Sequence, residues 1–348
     1  MCSGKRISTD ACASQQKYGT DESMKEIGGY LELERLGGQE YYPDLFKFNL
    51  GRTAITWYLK ETGVKRVYLP DFLCGSVIDA VKALPVEVRI YPIGEDFLPE
   101  AAALPEGPLR EDECLFVLNA YGQLSDSAVL MLKEKYGRIL YDFTHAFFQQ
   151  PPEGVAAVAS LRKFFGLTDG AYLKSDRPIA MPGASDSSSS RFAHVLGRFE
   201  KPAGEFYQAM LDTAHGYEHA EALRMSPLTE NLLRGIDYDT AASRRMANYL
   251  ALHERLEGQN GLVSAGHLRT PDVGPFVYPL LVPEGMRIRR ELAKKSIFVP
   301  TYWNNVMAET EEGTTAHIYA ADILPLPCDQ RYTPEDMAHV AEEVQKLL

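Results

Sequence analysis

Between residues 47 and 142 the chain alternates short runs of apolar, β-branched and aromatic residues with longer runs whose apolar positions recur three and four apart. KFNL precedes GRTAITWYLKETG, and RVYLP precedes FLCGSVIDAVKAL; VRIYPI follows, and CLFVLNAYG, SDSAVLMLKEKYG and RILYDF complete the series. Short apolar runs bounded by turn residues read as buried strands, whereas a three-and-four spacing reads as a helix face. From Thr53 to Thr62 such a face is made by Ala54, Ile55, Trp57 and Tyr58, and Gly63 stops it. A βαβα succession predicts a mainly parallel sheet covered by helices on both faces. Ligands of such sheets bind beyond the carboxyl ends of the strands, so the residues following each apolar run carry the functional reading.

After Leu173 the pattern changes. SDRPIAMPGASDSSSSR is polar and serine-rich and predicts a loop, either a linker or a substrate lid. Residues 192–256 predict helices, as in AASRRMANYLALHERLEG; the stretch 205–250, with SPLTENLLRGIDY, is a candidate subunit interface, with packing inside one subunit as the alternative. From Leu262 onward FVYPLLVP and SIFVP predict strands, with helices over RIRRELAKK and TPEDMAHVAEEVQKLL. The division expected is a large α/β domain over 24–240 and a smaller C-terminal α+β domain over 241–348. Residues 1–23 are polar and are expected to form a disordered leader, with Met1 or Met24 as the start of translation.

Charge and cysteine usage narrow the function. Asp and Glu number 48 against 36 Lys and Arg, a net charge of −12, which disfavours binding driven by neutralising nucleic-acid phosphates. No apolar run reaches the roughly 18 residues of a membrane span. Residues 1–23 lack the apolar centre of a secretory signal, so a cytoplasmic location is expected. The five cysteines form no CxxC pair, which predicts free thiols and no metal site.

Four strand-end features then carry chemistry. Asp142 in RILYDFTHAFF is a carboxylate at the sheet edge, either a buried acid or a helix N-cap. His145, three residues on, could share that site or simply pack. GRTAI places Gly51, Arg52 and Thr53 at a helix start whose free N–H groups suit an anion, with an ordinary cap as the alternative. Ser160 and Lys163 follow the apolar run GVAAVAS, where desolvation would turn the lysine amine into a nucleophile; the alternative is a solvated charge. An anion cradle, a carboxylate, an imidazole and a lysine in that chain order are the parts needed to hold pyridoxal 5′-phosphate (PLP). The phosphate takes the helix start, the carboxylate takes the pyridine nitrogen and the lysine forms the covalent link.

On NLGRTAI, RVYLPDFLC, VLNAYGQ, LYDFTHAF, SLRKFFGLTDGAYL and LPLPCDQRYTPEDM, the chain from Met24 onward resembles the fold type I PLP enzymes, most closely the DegT/DnrJ/EryC1/StrS sugar aminotransferases. The resemblance implies the α/β PLP-dependent transferase (aspartate aminotransferase-like) fold, with a mainly parallel sheet in the large domain. It implies Lys163 as the lysine that links the cofactor, Asp142 as the partner of the pyridine nitrogen, and His145 near the phenolic oxygen. Gly51, Arg52, Thr53 and Ser160 would contact the phosphate. Cys74 stands where the family commonly stacks an aromatic side chain on the ring, so that either Phe72 or His145 takes over stacking or the ring face is differently packed. The short spacing from Ser160 to Lys163 is that of aspartate aminotransferase-like enzymes. Tyr302, Trp303 and Asn304 stand where the small domain approaches the site. The implied activity is amino transfer from an amino acid, with glutamate the expected donor, to a keto acceptor such as a nucleotide-linked keto sugar, by a homodimer. A lyase or decarboxylase acting on an amino acid is the alternative enzyme. A non-catalytic binding protein of the same fold is the other alternative, and Lys163 argues against it.

Overall fold

The computed structural model describes residues 27–348, so the leader expected over 1–23 and the start at Met24 lie outside the described residues. Residues 27–35, the described part of a separate N-terminal unit, carry no helix or strand. Leu36–Leu348 forms one compact unit.

Its first half contains β1 (Phe46–Phe48), α1 (Gly51–Glu61), β2 (Arg66–Pro70), α2 (Gly75–Lys82), β3 (Glu87–Tyr91), β4 (Glu113–Leu118), α3 (Asp126–Tyr136), β5 (Ile139–Asp142), β6 (Ala156–Ser160) and β7 (Ala171–Lys174). These strands form one sheet in the order β1-β7-β6-β5-β4-β2-β3. β2 to β6 pair parallel, and β7 and β1 close one edge antiparallel. Every residue of β4 and β5 is buried, as a sheet covered on both faces requires. After β2 the chain runs out to β3 and returns to lay β4 on the other side of β2. That reversal opens a crevice at the carboxyl ends of the strands.

The second half contains α4 (Ala193–Glu200), α5 (Tyr207–His215), α6 (Pro227–Leu233), α7 (Tyr238–Leu256), α8 (Gly261–Ser264), β8 (Val277–Leu281), α9 (Gly285–Lys294), α10 (Asn304–Glu309), α11 (Thr315–Asp322), β9 (Ile323–Pro327) and α12 (Pro334–Gln345). β8 and β9 pair antiparallel. SIFVP, expected to be a strand, is not one. It follows α9 through a turn and carries no regular structure, and Ile297 and Val299 bury their side chains in one cluster with Ile288, Leu292 and Leu324. A short apolar run reports burial and not ladder pairing; the partner of β8 is instead ILPLP. Positions 240 and 241, the expected division, lie in the first turn of α7, whose Tyr249, Leu252 and Leu256 join the core cluster of β8, β9 and α12.

The serine-rich stretch is packed against the body of the fold. Asp186 N–H donates to Arg224 O at 2.9 Å, and the hydroxyls of the buried Ser188 and Ser226 are hydrogen-bonded at 2.7 Å. Arg245 of α7 is buried and, among the described residues, forms no ion pair. Its guanidinium donates to the carbonyls of Phe164 (3.1 Å), Pro275 (3.0 Å) and Phe276 (3.2 Å) and to Gln330 Oε1 (2.7 Å). It thereby fixes the backbone just after Lys163.

Candidate active site

The site is built from the start of α1. Leu50, at the N-cap, offers no side-chain acceptor. The first helical bond is Ala54 N–H to Leu50 O at 3.0 Å, so the N–H groups of Gly51, Arg52 and Thr53 precede the intrahelical ladder. Asn49, 2% exposed, holds this start in place. Its Oδ1 accepts from Leu50 N–H (3.0 Å), Thr53 Oγ1 (2.7 Å) and Leu223 N–H (3.3 Å), and its Nδ2 donates to Glu221 O (3.0 Å). The Thr53 hydroxyl is therefore spent on the helix start, and Thr53 does not line the cavity described next. Asn49→Ala strands several buried groups, and a loss of about 2–4 kcal/mol in unfolding free energy is expected by urea titration.

A cavity of about 290 Å³ lies where α1, the β2–α2 turn and the ends of β4, β5 and β6 converge. Gly51, Arg52, Cys74, Asp142, His145, Ser160 and Lys163 all line it, as does Trp303 from the second half of the chain. A larger cleft of about 370 Å³ beside α7 includes Leu232, Ile236 and Arg244. Its Asp237 is engaged as the helix cap, accepting from Thr240 N–H (3.0 Å) and hydroxyl (2.7 Å). The acid, the amine and the imidazole share the smaller cavity, and the chemistry is read there.

Asp142 ends β5 and is 6% exposed. Burial pushes its carboxyl up to about 6, against the opposing pull of Thr144 and Lys163; Thr144 N–H donates to its Oδ1 at 2.8 Å. His145 is held well below its ordinary pKa by burial and by nearby Lys163, so it is neutral at neutral pH. Its Nδ1 accepts from Tyr121 N–H at 3.3 Å, which assigns the ring proton to Nε2. One ring face stacks on Phe276 at 4.3 Å and 17°.

Lys163 lies deep in the protein, and its depth lowers the pKa of the amine, with Cys74 and Asp142 opposing and Arg162 reinforcing. Its side chain is nevertheless solvent-accessible, because it projects into the cavity. The amine sits 4.9 Å from the Tyr302 ring centroid. Trp303 lies nearly parallel to His145, 13° apart with centroids separated by 5.8 Å. Asn304 is exposed and outside the cavity lining; its neighbour Asn305 accepts from Gly75 N–H and donates to Leu73 O, both at 3.0 Å, tying α10 to the β2–α2 turn. Of the two candidates to replace an aromatic at position 74, Phe72 is buried edge-on against Trp303 at 5.1 Å and does not line the cavity, whereas His145 does.

Three polar cavity residues escaped the sequence reading. Thr144 lies between two residues that were singled out, and its Oγ1 accepts from Ser160 N–H at 3.0 Å, joining the ends of β5 and β6. Ser76 is hydrogen-bonded to Cys74 Sγ at 3.2 Å. Arg162, immediately before Lys163, lines the cavity and stacks on Tyr217; a second cation beside the lysine was the available signal.

No protein-family model and no curated protein matches the chain. Solved structures do. DesV of S. venezuelae, determined in complex with a ketimine intermediate, aligns with a TM-score of 0.60 and 17% identity over 87% of this chain and 84% of that one. PseC of Helicobacter pylori, an aminotransferase involved in the biosynthesis of pseudoaminic acid, aligns with a TM-score of 0.60 and 14% identity over 86% and 85%. A DegT DnrJ EryC1 StrS aminotransferase from Brucella abortus aligns at 0.57 and 13% over 87% and 85%. Identities this low carry the architecture and not the reaction: this chain has the α/β fold of those aminotransferases, the one its sequence motifs implied.

Proposed function

We propose that the chain is a PLP-dependent aminotransferase that moves an amino group from an amino acid, glutamate first among the donors, to a keto sugar. The observation that carries this is one cavity holding the Lys163 amine and the Asp142 carboxylate together with the open N-terminus of α1. The residues present fit the cofactor. A Cβ at Gly51 would come within 3.3 Å of Ser160 Cβ, so glycine lets the first N–H groups of α1 sit close to Ser160. Those donors, with Arg52 and Ser160, suit a phosphate. The buried Asp142, with its raised pKa, suits a protonated pyridine nitrogen, which would compensate the charge that burial penalises. Bound there, PLP supplies an electron sink for negative charge on a substrate carbon.

The protein groups have separable tasks. Lys163 holds the cofactor through Nζ and, once released, carries a proton to and from the substrate carbon; its lowered pKa favours the free amine that this needs. Neutral His145 presents Nε2–H as a donor to an oxygen. Trp303, in the cavity wall, offers an apolar face to a sugar ring, with Tyr302 behind it against the Lys163 amine, and the structural neighbours described as sugar aminotransferases, CalS13 from Micromonospora echinospora and Spr1654 from Streptococcus pneumoniae, support that acceptor class. We further propose a homodimer in the cytoplasm. Surface on α4 supports a partner there, since Leu196 and Phe199 are 65% and 96% exposed. No described helix is long and apolar enough to cross a membrane.

With glutamate and no acceptor, the PLP-loaded protein is expected to lose its visible-edge absorbance and release one equivalent of 2-oxoglutarate per site. Release of carbon dioxide or ammonia from amino acids with the absorbance retained would instead establish a decarboxylase or lyase and overturn the proposal.

A further inference from the structure

We propose that Tyr217 is the positioning residue of the anion-binding end of the cavity, holding Arg162 through its ring and Arg52 through its carbonyl so that both face a phosphate. The assignment rests on the cofactor reading above for the identity of the phosphate ester, and on geometry for the rest.

Arg162 and Arg52 both line the cavity, and among the described residues neither makes an ion pair. Arg162 instead lies with its guanidinium carbon 4.6 Å from the centroid of the Tyr217 ring. Arg52 Nη1 donates to the Tyr217 carbonyl at 3.4 Å. Arg191 reaches the same ring at 5.2 Å, but its charge is already met by Asp186 at 2.7 and 3.2 Å. Among the described residues the cluster thus contains one cation paired with a carboxylate and two that form no ion pair; Asp169, whose charge reaches Arg162, is itself taken up by the Ser226 N–H and hydroxyl and by the Thr229 hydroxyl. A guanidinium removed from water without a counter-ion is costly, so an anion from outside the chain completes the arrangement.

Tyr217 is equipped to position rather than to bind. It is 3% exposed and is absent from the cavity wall. Its hydroxyl donates to Thr168 O, in the turn that follows Lys163. The chain just beyond it is fastened to the start of α1: Asn49 donates to Glu221 O at 3.0 Å and to Leu223 O at 2.9 Å. One aromatic residue therefore connects the α1 start, the arginine beside Lys163 and the turn after it.

The test measures the binding of inorganic phosphate, PLP and pyridoxal to the full chain by calorimetry in phosphate-free buffer. Tyr217→Leu removes the ring and is expected to weaken phosphate and PLP about tenfold while leaving pyridoxal unchanged, as loss of a partly desolvated cation–π contact implies. Tyr217→Phe keeps ring and carbonyl and is expected to stay within about twofold of wild type. Arg162→Gln should reproduce the phosphate-selective loss even if the leucine variant fails to fold. Equal weakening of PLP and pyridoxal, an unaltered phosphate affinity in Tyr217→Leu or Arg162→Gln, or wild type that binds no phosphate would each overturn the assignment. Wild type that binds phosphate but never links PLP to Lys163 would overturn the cofactor reading and leave the positioning role of Tyr217 supported.

Discussion

Lys163→Ala is expected to lower amino transfer by roughly 10⁴-fold and to abolish the borohydride-stable attachment of cofactor to residue 163. Four of the five residues of β6 are buried, and the single turn Leu161–Lys163 follows directly, so the backbone that carries the lysine is held on this side. Arg245 and Gln330 bond the next carbonyl, Phe164 O, at 3.1 and 3.0 Å, which fixes the backbone on the other side. The Lys163 side chain projects into the cavity with its pKa lowered by its depth in the protein, and among the described residues it forms no ion pair. Alanine relieves the penalty of an amine at depth, so the variant should unfold at no lower urea concentration than wild type near neutral pH. Inorganic phosphate should still bind, since its donors are elsewhere, and a small added amine should restore part of the rate. Full activity in the variant, or a borohydride-stable adduct in wild type on some other lysine, would show Lys163 to be a bystander.

How much of this was legible in the sequence follows from which interactions are local. The runs RVYLP, CLFVL and RILYD announce strands because each is apolar enough to be buried on both faces, and the residues after them fall at one sheet edge for topological reasons. Asp142, Ser160 and Lys163 are found that way. The antiparallel edge of β7 and β1 has no such signature, since an apolar strand reads the same in either direction. SIFVP misled because Ile297 and Val299 are buried without a ladder partner. Asn49 was missed because its role depends on Glu221 and Leu223, more than 170 positions away. Tyr217 was missed for the same reason: its ring matters only because Arg162 is brought beneath it. Short-range chemistry is written in the motifs, and long-range support appears only with coordinates.

Asp142→Asn is expected to do two things of opposite sign. In the cofactor-free protein it should stabilise the fold at pH 7 to 8 by about 1–3 kcal/mol. The wild-type carboxyl is raised from 3.8 to about 6 by burial, so the folded protein binds this proton more tightly than the unfolded chain. Stability from this group is therefore highest below about pH 4, falls as pH rises from about 4 to about 6, and is fully forfeited above that. A shift of roughly two units corresponds to about 3 kcal/mol at most, and asparagine, which never ionises, escapes the penalty while its Oδ1 still accepts from Thr144 N–H. The gap between variant and wild type in urea titrations should accordingly close as pH is lowered to 4. Amino transfer, by contrast, should fall by roughly 10²–10³-fold, because a neutral amide cannot hold a proton on the pyridine nitrogen and a preorganised charge is lost from the cavity. Asp142 also helps Lys163 keep its proton, so the variant's lysine should titrate lower still. A variant less stable than wild type at every pH would make Asp142 a structural acceptor whose burial is already compensated, and an unchanged rate would remove it from the cofactor's partners. A residue that costs stability in the cofactor-free protein and supports the reaction in the loaded one is what a cavity suited to a protonated pyridine nitrogen requires.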